Sequence, residues 1–246
     1  MIPIVSIANL IACLLFFGAS GKLFLSYQGT KDERVKSFFL GFLFLATTFF
    51  LLATPGLIIK NIFAITWVFA VYPFFGFLSL IYFGVVPLKF LQWEKVGRIF
   101  VFLTVLVAVL TTLLGMSHWA APIIHQQGSF IYWEDSRGLG VNIIIGFGLA
   151  SGLLAVITFF LIHGFKSRDK YVKARAFLMA AGLIGLLLVS LINFVFGASA
   201  QVYITSLAAS SLAIASGIIM LIGVLYKYQP KTSDYETRRD LPKINW

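Results

Sequence analysis

The chain has 246 residues, of which 60 % are hydrophobic and 11 % charged, with mean hydropathy +0.96 and a formal net charge of +10. Soluble domains are about a quarter charged, so this composition excludes a soluble globular enzyme and predicts an all-α membrane protein. The lone Cys13 excludes an intrachain disulfide and a cysteine metal cluster.

Spanning a bilayer takes roughly 20 apolar residues of helix. Seven such runs follow one another, at about 3–26, 37–59, 61–88, 99–117, 139–164, 176–196 and 200–227, before a polar tail at 228–246. In the first run, LIAC at Leu10–Cys13 and GAS at Gly18–Ser20 imitate cleavage signals. No Lys or Arg precedes that run and LLFFGAS after Cys13 is apolar, so it reads as a retained span. Between the second and third runs, TPG at Thr54–Gly56 predicts a tight turn, and Pro73 and Pro87 predict kinks or an early end in the third. The fifth run holds GLASG at Gly148–Gly152. The last is crowded with small residues from Ala208 to Gly217, which let helices approach closely.

Seventeen of the nineteen Lys and Arg residues fall on one side of this seven-span arrangement; only Lys60 and Arg137 fall opposite, giving net charges of +10 and 0. Lys and Arg collect on the cytoplasmic side, so the expected orientation is N-terminus outside and C-terminus cytoplasmic, in a multi-pass protein of the plasma membrane. The basic residues lie in four separate juxtamembrane segments that would meet anionic lipid, which argues against nucleic acid as a partner.

Charged residues inside spans mark proton relays, ion paths and retinal counter-ions, and the middles of all seven runs contain none. The last run has no lysine before Lys227, which excludes a retinal Schiff base, and carboxylate-coupled transport is disfavoured. No HExxH, GxSxG or P-loop is present, and GLGVNIIIGFG from Gly138 follows no strand, so neither an enzyme nor a cofactor is expected. His163 lacks the paired histidine that a haem-carrying bundle offers and reads as an interfacial residue. The interior polar residues are Asn9, Thr47, Thr48, Tyr72, Asn142, Ser151, Ser190, Asn193, Tyr203, Thr205, Ser210 and Ser211. Interhelical hydrogen bonding accounts for them in general. The candidate exception is an outward-facing ligand pocket lined by Asn142, Asn193, Tyr203 and Thr205.

HWAAPIIHQQGSFIYWED, residues 118–135, is the long polar and aromatic interruption. His118, His125 and Glu134 would supply two imidazoles and a carboxylate to zinc, but Pro122 breaks any helix through both histidines. Trp119, Phe130, Tyr132 and Trp133 suit a membrane–water interface. The segment is therefore expected to be a short helix or a hairpin turned at Gly128, lying over the mouth between spans five, six and seven, with Tyr132 and Trp133 at the pocket.

The basic loop running into span six, KSRDKYVKARAFLMAAGLIGLLLVSLINFVFG from Lys166, with the span count and the long fourth connection, resembles the seven-helix sensory modules of some bacterial histidine kinases and cyclases. That resemblance implies a signal received by the helices and reported by a C-terminal kinase or cyclase. The tail after Lys227, with Tyr228, Tyr235, Arg238, Arg239 and Trp246, is too short for such a domain. The expectation is a receptor-like sensor of a small or lipophilic ligand that signals through a separate partner. The alternatives are a facilitative transporter of a small neutral solute, disfavoured by the absence of a sequence repeat, and an accessory subunit of a membrane complex.

Overall fold

A computed structural model describes residues 2–117, 121–134, 139–196 and 202–226, without the side chains at 127, 132, 139, 195, 196, 202 and 203. Seven helices in it are long and apolar enough to cross a membrane. They are α1 (Ile4–Thr30), α2 (Glu33–Leu57), α3 (Ile62–Phe90), α4 (Glu94–Ser117), α5 (Leu139–Lys166), α6 (Lys170–Leu191, prolonged by a π turn at Ile192–Phe196) and α7 (Val202–Leu225). A hairpin of β1 (Ile123–Gln127) and β2 (Phe130–Glu134) stands between α4 and α5.

Three helices begin on side-chain caps. Asp32 accepts from the Arg34 backbone N–H, Asn61 from those of Phe63 and Ala64, and Asp169 from those of Tyr171 and Val172. These oxygens satisfy amide groups that the first turn leaves without intrahelical partners. With its cap, α6 starts at Lys170, six residues before the apolar run; α4 likewise starts early, at Glu94, five residues before its run. Proline acts differently at three positions. Pro55 (φ −58°, ψ 124°) and Gly56 (φ 78°, ψ −22°) have the dihedral angles of a type II turn and end α2. Neither Pro73 nor Pro87 ends α3, contrary to one of the two expectations, and Pro73 is fully buried within it.

Connections of two to four residues, such as Lys31–Asp32 and Ser167–Asp169, fold successive helices back on one another. α1 packs along α2, α2 along α3, α5 along α6 and α6 along α7; α7 returns to α1 and α3 meets α5, so six helices close a ring. α4 leans on the outside against α3 and α5, and is the least buried helix.

Small residues set the closeness. A Cβ on Gly148 would lie 2.9 Å from Val107, one on Gly152 2.8 Å from Leu80, and one on Gly185 2.1 Å from the Ser216 hydroxyl. The GxxxG of α5 thus seats the helix on α3 and α4, and the small residues of α7 seat it on α6.

The connections α1–α2, α3–α4 and α5–α6 lie on one face, here the basic face. The hairpin and the α2–α3 turn lie on the other, the hairpin face.

Candidate functional site

A cavity of about 90 Å³ lies between α2, α3, α5 and α6, from mid-depth toward the hairpin face. Its walls are mainly Leu and Phe side chains, among them Leu45, Phe49, Leu80, Leu153 and Leu183, with Gly76 opening space on α3. Five side chains bring polar atoms to this lining: Thr48, Tyr72, Ser79, Ser190 and Asn193. Thr48 already donates to the Phe44 carbonyl one turn back at 3.0 Å. The Ser190 hydroxyl has no hydrogen-bond partner among the described residues although Ser190 is only 6 % exposed. A buried hydroxyl in that state costs on the order of 1–3 kcal/mol, and a ligand carrying a donor or an acceptor would recover it.

Toward the basic face the cavity ends on packed phenylalanines. Phe83 lies edge-on to Phe42 at 5.0 Å and beside Phe38 at 6.4 Å, and Phe38 meets Phe160 at 5.9 Å. Gly41 makes the closure possible, since a Cβ there would come within 2.9 Å of the Phe83 ring. Toward the hairpin face the Phe194 ring stacks with Tyr72 (6.4 Å, 13° between planes) and packs with Val141 and Ile145. A Cβ on Gly146 would lie 2.4 Å from that of Phe194, so α5 and the π turn approach closely here. The π turn carries Asn193 and Phe194 at the cavity mouth; such bulges are rare and concentrate at functional sites.

Of the pocket residues expected from sequence, Asn193 borders the cavity. Asn142 lies half-buried in the first turn of α5 and Thr205 half-buried in that of α7, and neither is in the cavity wall. The side chains of Tyr132 and Tyr203 lie outside the described residues. Thr48, Tyr72 and Ser190 were visible as interior polar residues but not as a group, because nothing in their spacing aligns three different helices.

The interhelical reading of the polar residues holds for two and fails for four. Asn9 accepts from Ser210 of α7 at 3.3 Å and donates to the Leu52 carbonyl of α2 at 3.4 Å, so it joins three helices. Thr47, Thr48, Ser151 and Ser211 donate instead to carbonyls three or four residues back in their own helices, a bond available to any helical Ser or Thr.

The hairpin turns at Gly128–Ser129, with positive φ at Gly128 alone of the two, as a type II′ turn requires. Its docking differs from the expected lid over spans five to seven: it is sewn to the start of α1. The Ile2 amide donates to Ser129 O at 2.8 Å and the Ile131 amide to Ile2 O at 3.1 Å, which adds Ile2 as a parallel bridge. Trp133 fills the place a side chain would take on Gly56, whose Cβ would lie 2.1 Å from the indole, and that Cβ would also be 3.1 Å from Pro3. Two causes are local: Pro3 favours an extended Ile2, and Gly56 leaves room for the indole.

His125 and Glu134, two of the three candidate zinc ligands, lie on one face of the hairpin and bond each other at 2.5 Å. His118 lies outside the described residues. No group of three metal-ligating side chains occurs among the described residues.

On the basic face, Arg34 grips Asp32 through Nε and Nη2 at 3.0 and 2.7 Å. The hydrogen bonds and charge of Arg34, with Lys89 nearby, hold the Asp32 carboxyl below its usual pKa against the opposing effect of burial. The interfacial reading of His163 fits its place, with its ring stacked on Phe90 at 4.6 Å.

Compared with known proteins, this chain matches no family model, no curated protein and no solved structure.

Proposed function

We propose that this protein is a receptor-like membrane sensor that takes a small lipophilic ligand into the cavity between α2, α3, α5 and α6 and passes the signal to a separate partner at the basic face. The observation that carries this reading is an apolar cavity bordered by a buried hydroxyl that has no partner among the described residues. Apolar walls with a few placed polar groups are the usual make-up of a small-molecule site. The volume, about 90 Å³, is below the roughly 150 Å³ of a cavity that holds benzene, so the ligand is compact. The hairpin face is taken as outside, on the charge asymmetry of the loops. The likeness of the Lys166–Asn193 stretch to histidine-kinase sensory modules supports the same reading.

The test uses the full chain in nanodiscs with straight-chain C2 to C6 alcohols and ketones as probes. A thermal shift that grows with probe concentration and is abolished by Ser190→Leu, which fills the cavity, is expected. Spin labels at the basic-face ends of α2 and α6 should change separation when the probe binds. An unaltered shift in Ser190→Leu would reject this site, and a static distance would reject signalling.

The facilitator reading gains one observation. α1–α3 and α5–α7 pack as two sequential triplets joined through α3–α5 and α7–α1, with α4 outside as the link; transporters built from parallel repeats use such halves, with substrate between them near mid-membrane. The phenylalanine floor favours the sensor. Flux of a neutral solute into proteoliposomes would reverse the order.

A further inference from the structure

We infer that the outer edge of β1 is a docking site for an extended segment of a partner polypeptide, which joins the hairpin as a further strand through main-chain hydrogen bonds. The hairpin itself fixes which groups are on offer. The Ile131 amide donates to Ile2 O at 3.1 Å, so it faces away from β1. Gln126 stands opposite Ile131 in the register, and the main-chain groups of two directly opposed antiparallel residues both face inward or both face outward. The Gln126 amide and carbonyl therefore point away from β2, and by alternation so do those of Ile124. Neither of these main-chain amides bonds to a described residue outside the hairpin. Pro122 falls at the next outward position, where it has no N–H to leave unpaired, and it bounds the edge at that end.

The opposite edge, on β2, already takes extended chain in this way, since Ile2 bridges to Phe130. The template is also held before a partner arrives, by the Ile2 bonds and by Trp133 seated against Gly56, so a docking strand need not order it. Strand edges are commonly kept apart by charges, prolines or bulges. β1 has none of these: IIHQQ contains no Lys, acidic residue or Pro, and its five opposed pairs run without a bulge.

The chemistry of the edge states what it accepts. Two amides and two carbonyls alternate over three residues, and the complement of that spacing is the backbone of another strand. Ile124 and Gln126 share the face of Trp133, whereas Ile123 and His125 share that of Glu134. Ile123 and Ile124 are each 48 % exposed, so apolar side chains of the partner gain cover beside one of them on either face. No described hairpin residue is in the wall of the ligand cavity, and the edge stands whether or not that cavity takes a ligand.

The experiment presents a displayed library of random nonapeptides to the full chain in phosphatidylcholine nanodiscs. Selected peptides are expected to bind wild type and to lose roughly 10-fold in affinity for Ile124→Pro or Gln126→Pro, because either ring removes an outward N–H and leaves the β1–β2 bonds in place. Each selected peptide is then N-methylated at alternate residues, in both phases. One phase should cost roughly 10-fold and the other little, as a strand bonded along one edge requires. Equal effects of the two phases would overturn the proposal, as would peptides that bind the proline variants and wild type alike, or a selection that yields no binder. A wild-type dimer in native mass spectrometry that Gln126→Pro dissociates would give the edge to a second copy of this chain and overturn the choice of partner. The methylated peptides need only wild type, so a proline variant that fails to fold leaves the test intact.

Discussion

Toward the basic face, α2, α3 and α5 meet through Phe38, Phe42, Phe83 and Phe160, and the space between them is filled. Toward the hairpin face, α2 and α3, now with α5 and α6, leave a cavity edged by Thr48, Gly76, Ser79 and Ser190. Both halves are apolar, so hydrophobicity does not separate them. The difference is where side-chain volume is withheld: on the filled side a glycine, Gly41, faces a ring that occupies its space, whereas on the open side Thr48, Gly76, Ser79 and Ser190 interrupt the Leu and Phe wall at the cavity. The bilayer rewards apolar surface in either half, and only packing distinguishes a closed core from a receptive one.

The largest test of this contrast is Phe83→Ala. Phe83 is fully buried and borders both the cavity and the floor, so its loss should cost about 3–5 kcal/mol and join the cavity to the basic half. Thermal unfolding in detergent reads the first effect and probe uptake the second. If stability barely changes, the filled half is not the rigid one. Gly185→Ala should come next, because the new methyl would collide with Ser216 on α7; a loss of about 1–3 kcal/mol is expected from overpacking, with α6 and α7 pushed apart in cross-linking assays. Asn9→Leu removes the bonds to Leu52 and Ser210, and hydrogen bonds between membrane helices are worth about 0.6 kcal/mol each on average. A drop in melting temperature smaller than that of Gly185→Ala is the expected outcome.

Ser190→Ala should leave stability unchanged or raise it by up to about 1 kcal/mol, since the hydroxyl has no partner to lose among the described residues. A clear destabilisation would show that the open half is held together by this hydroxyl. The smallest effect concerns acid. The folded-state pKa of Asp32 is depressed, chiefly by its hydrogen bonds to Arg34, so its contribution is full above the unfolded carboxylate value of about 3.9 and is lost as pH falls through the lower folded value. Asp32→Asn keeps the helix cap and should flatten the dependence of melting temperature on pH below about 4.

All seven helices were legible because each apolar run is long enough to span a bilayer. Their capped beginnings were less so: Glu94 and Asp169 belong by hydropathy to the loops, yet one opens a helix and the other caps one. Gly128 marked the turn but left a short helix and a hairpin both open; the hairpin forms, with positive φ at Gly128. The seat of the hairpin was not readable, because the vacancy above Gly56 exists only once α1 and α2 stand side by side. Asn193 was legible at the cavity as a polar break near the end of an apolar run. The rest of the lining was not, as Leu45, Leu153 and Leu183 are the same residue types that fill the core. Asn142 and Thr205, expected beside Asn193, are not in the wall of this cavity, since similar depth in the membrane does not by itself give similar facing.

The bonds between Ile2 and the hairpin also impose an order on biosynthesis. Ile2 is made before its partners Ser129 and Ile131, which follow the whole of α1 to α4. The segment at Ile2 therefore cannot make these bonds until four helices have been synthesised, and once made they fasten the start of α1 to the hairpin that follows α4. Asn9 waits longer, until Ser210 of the last helix arrives. The chain is thus closed twice from its beginning, once at its midpoint and once near its end, and a ribosome stalled between those events would leave a bundle latched on the hairpin face but still open along α1.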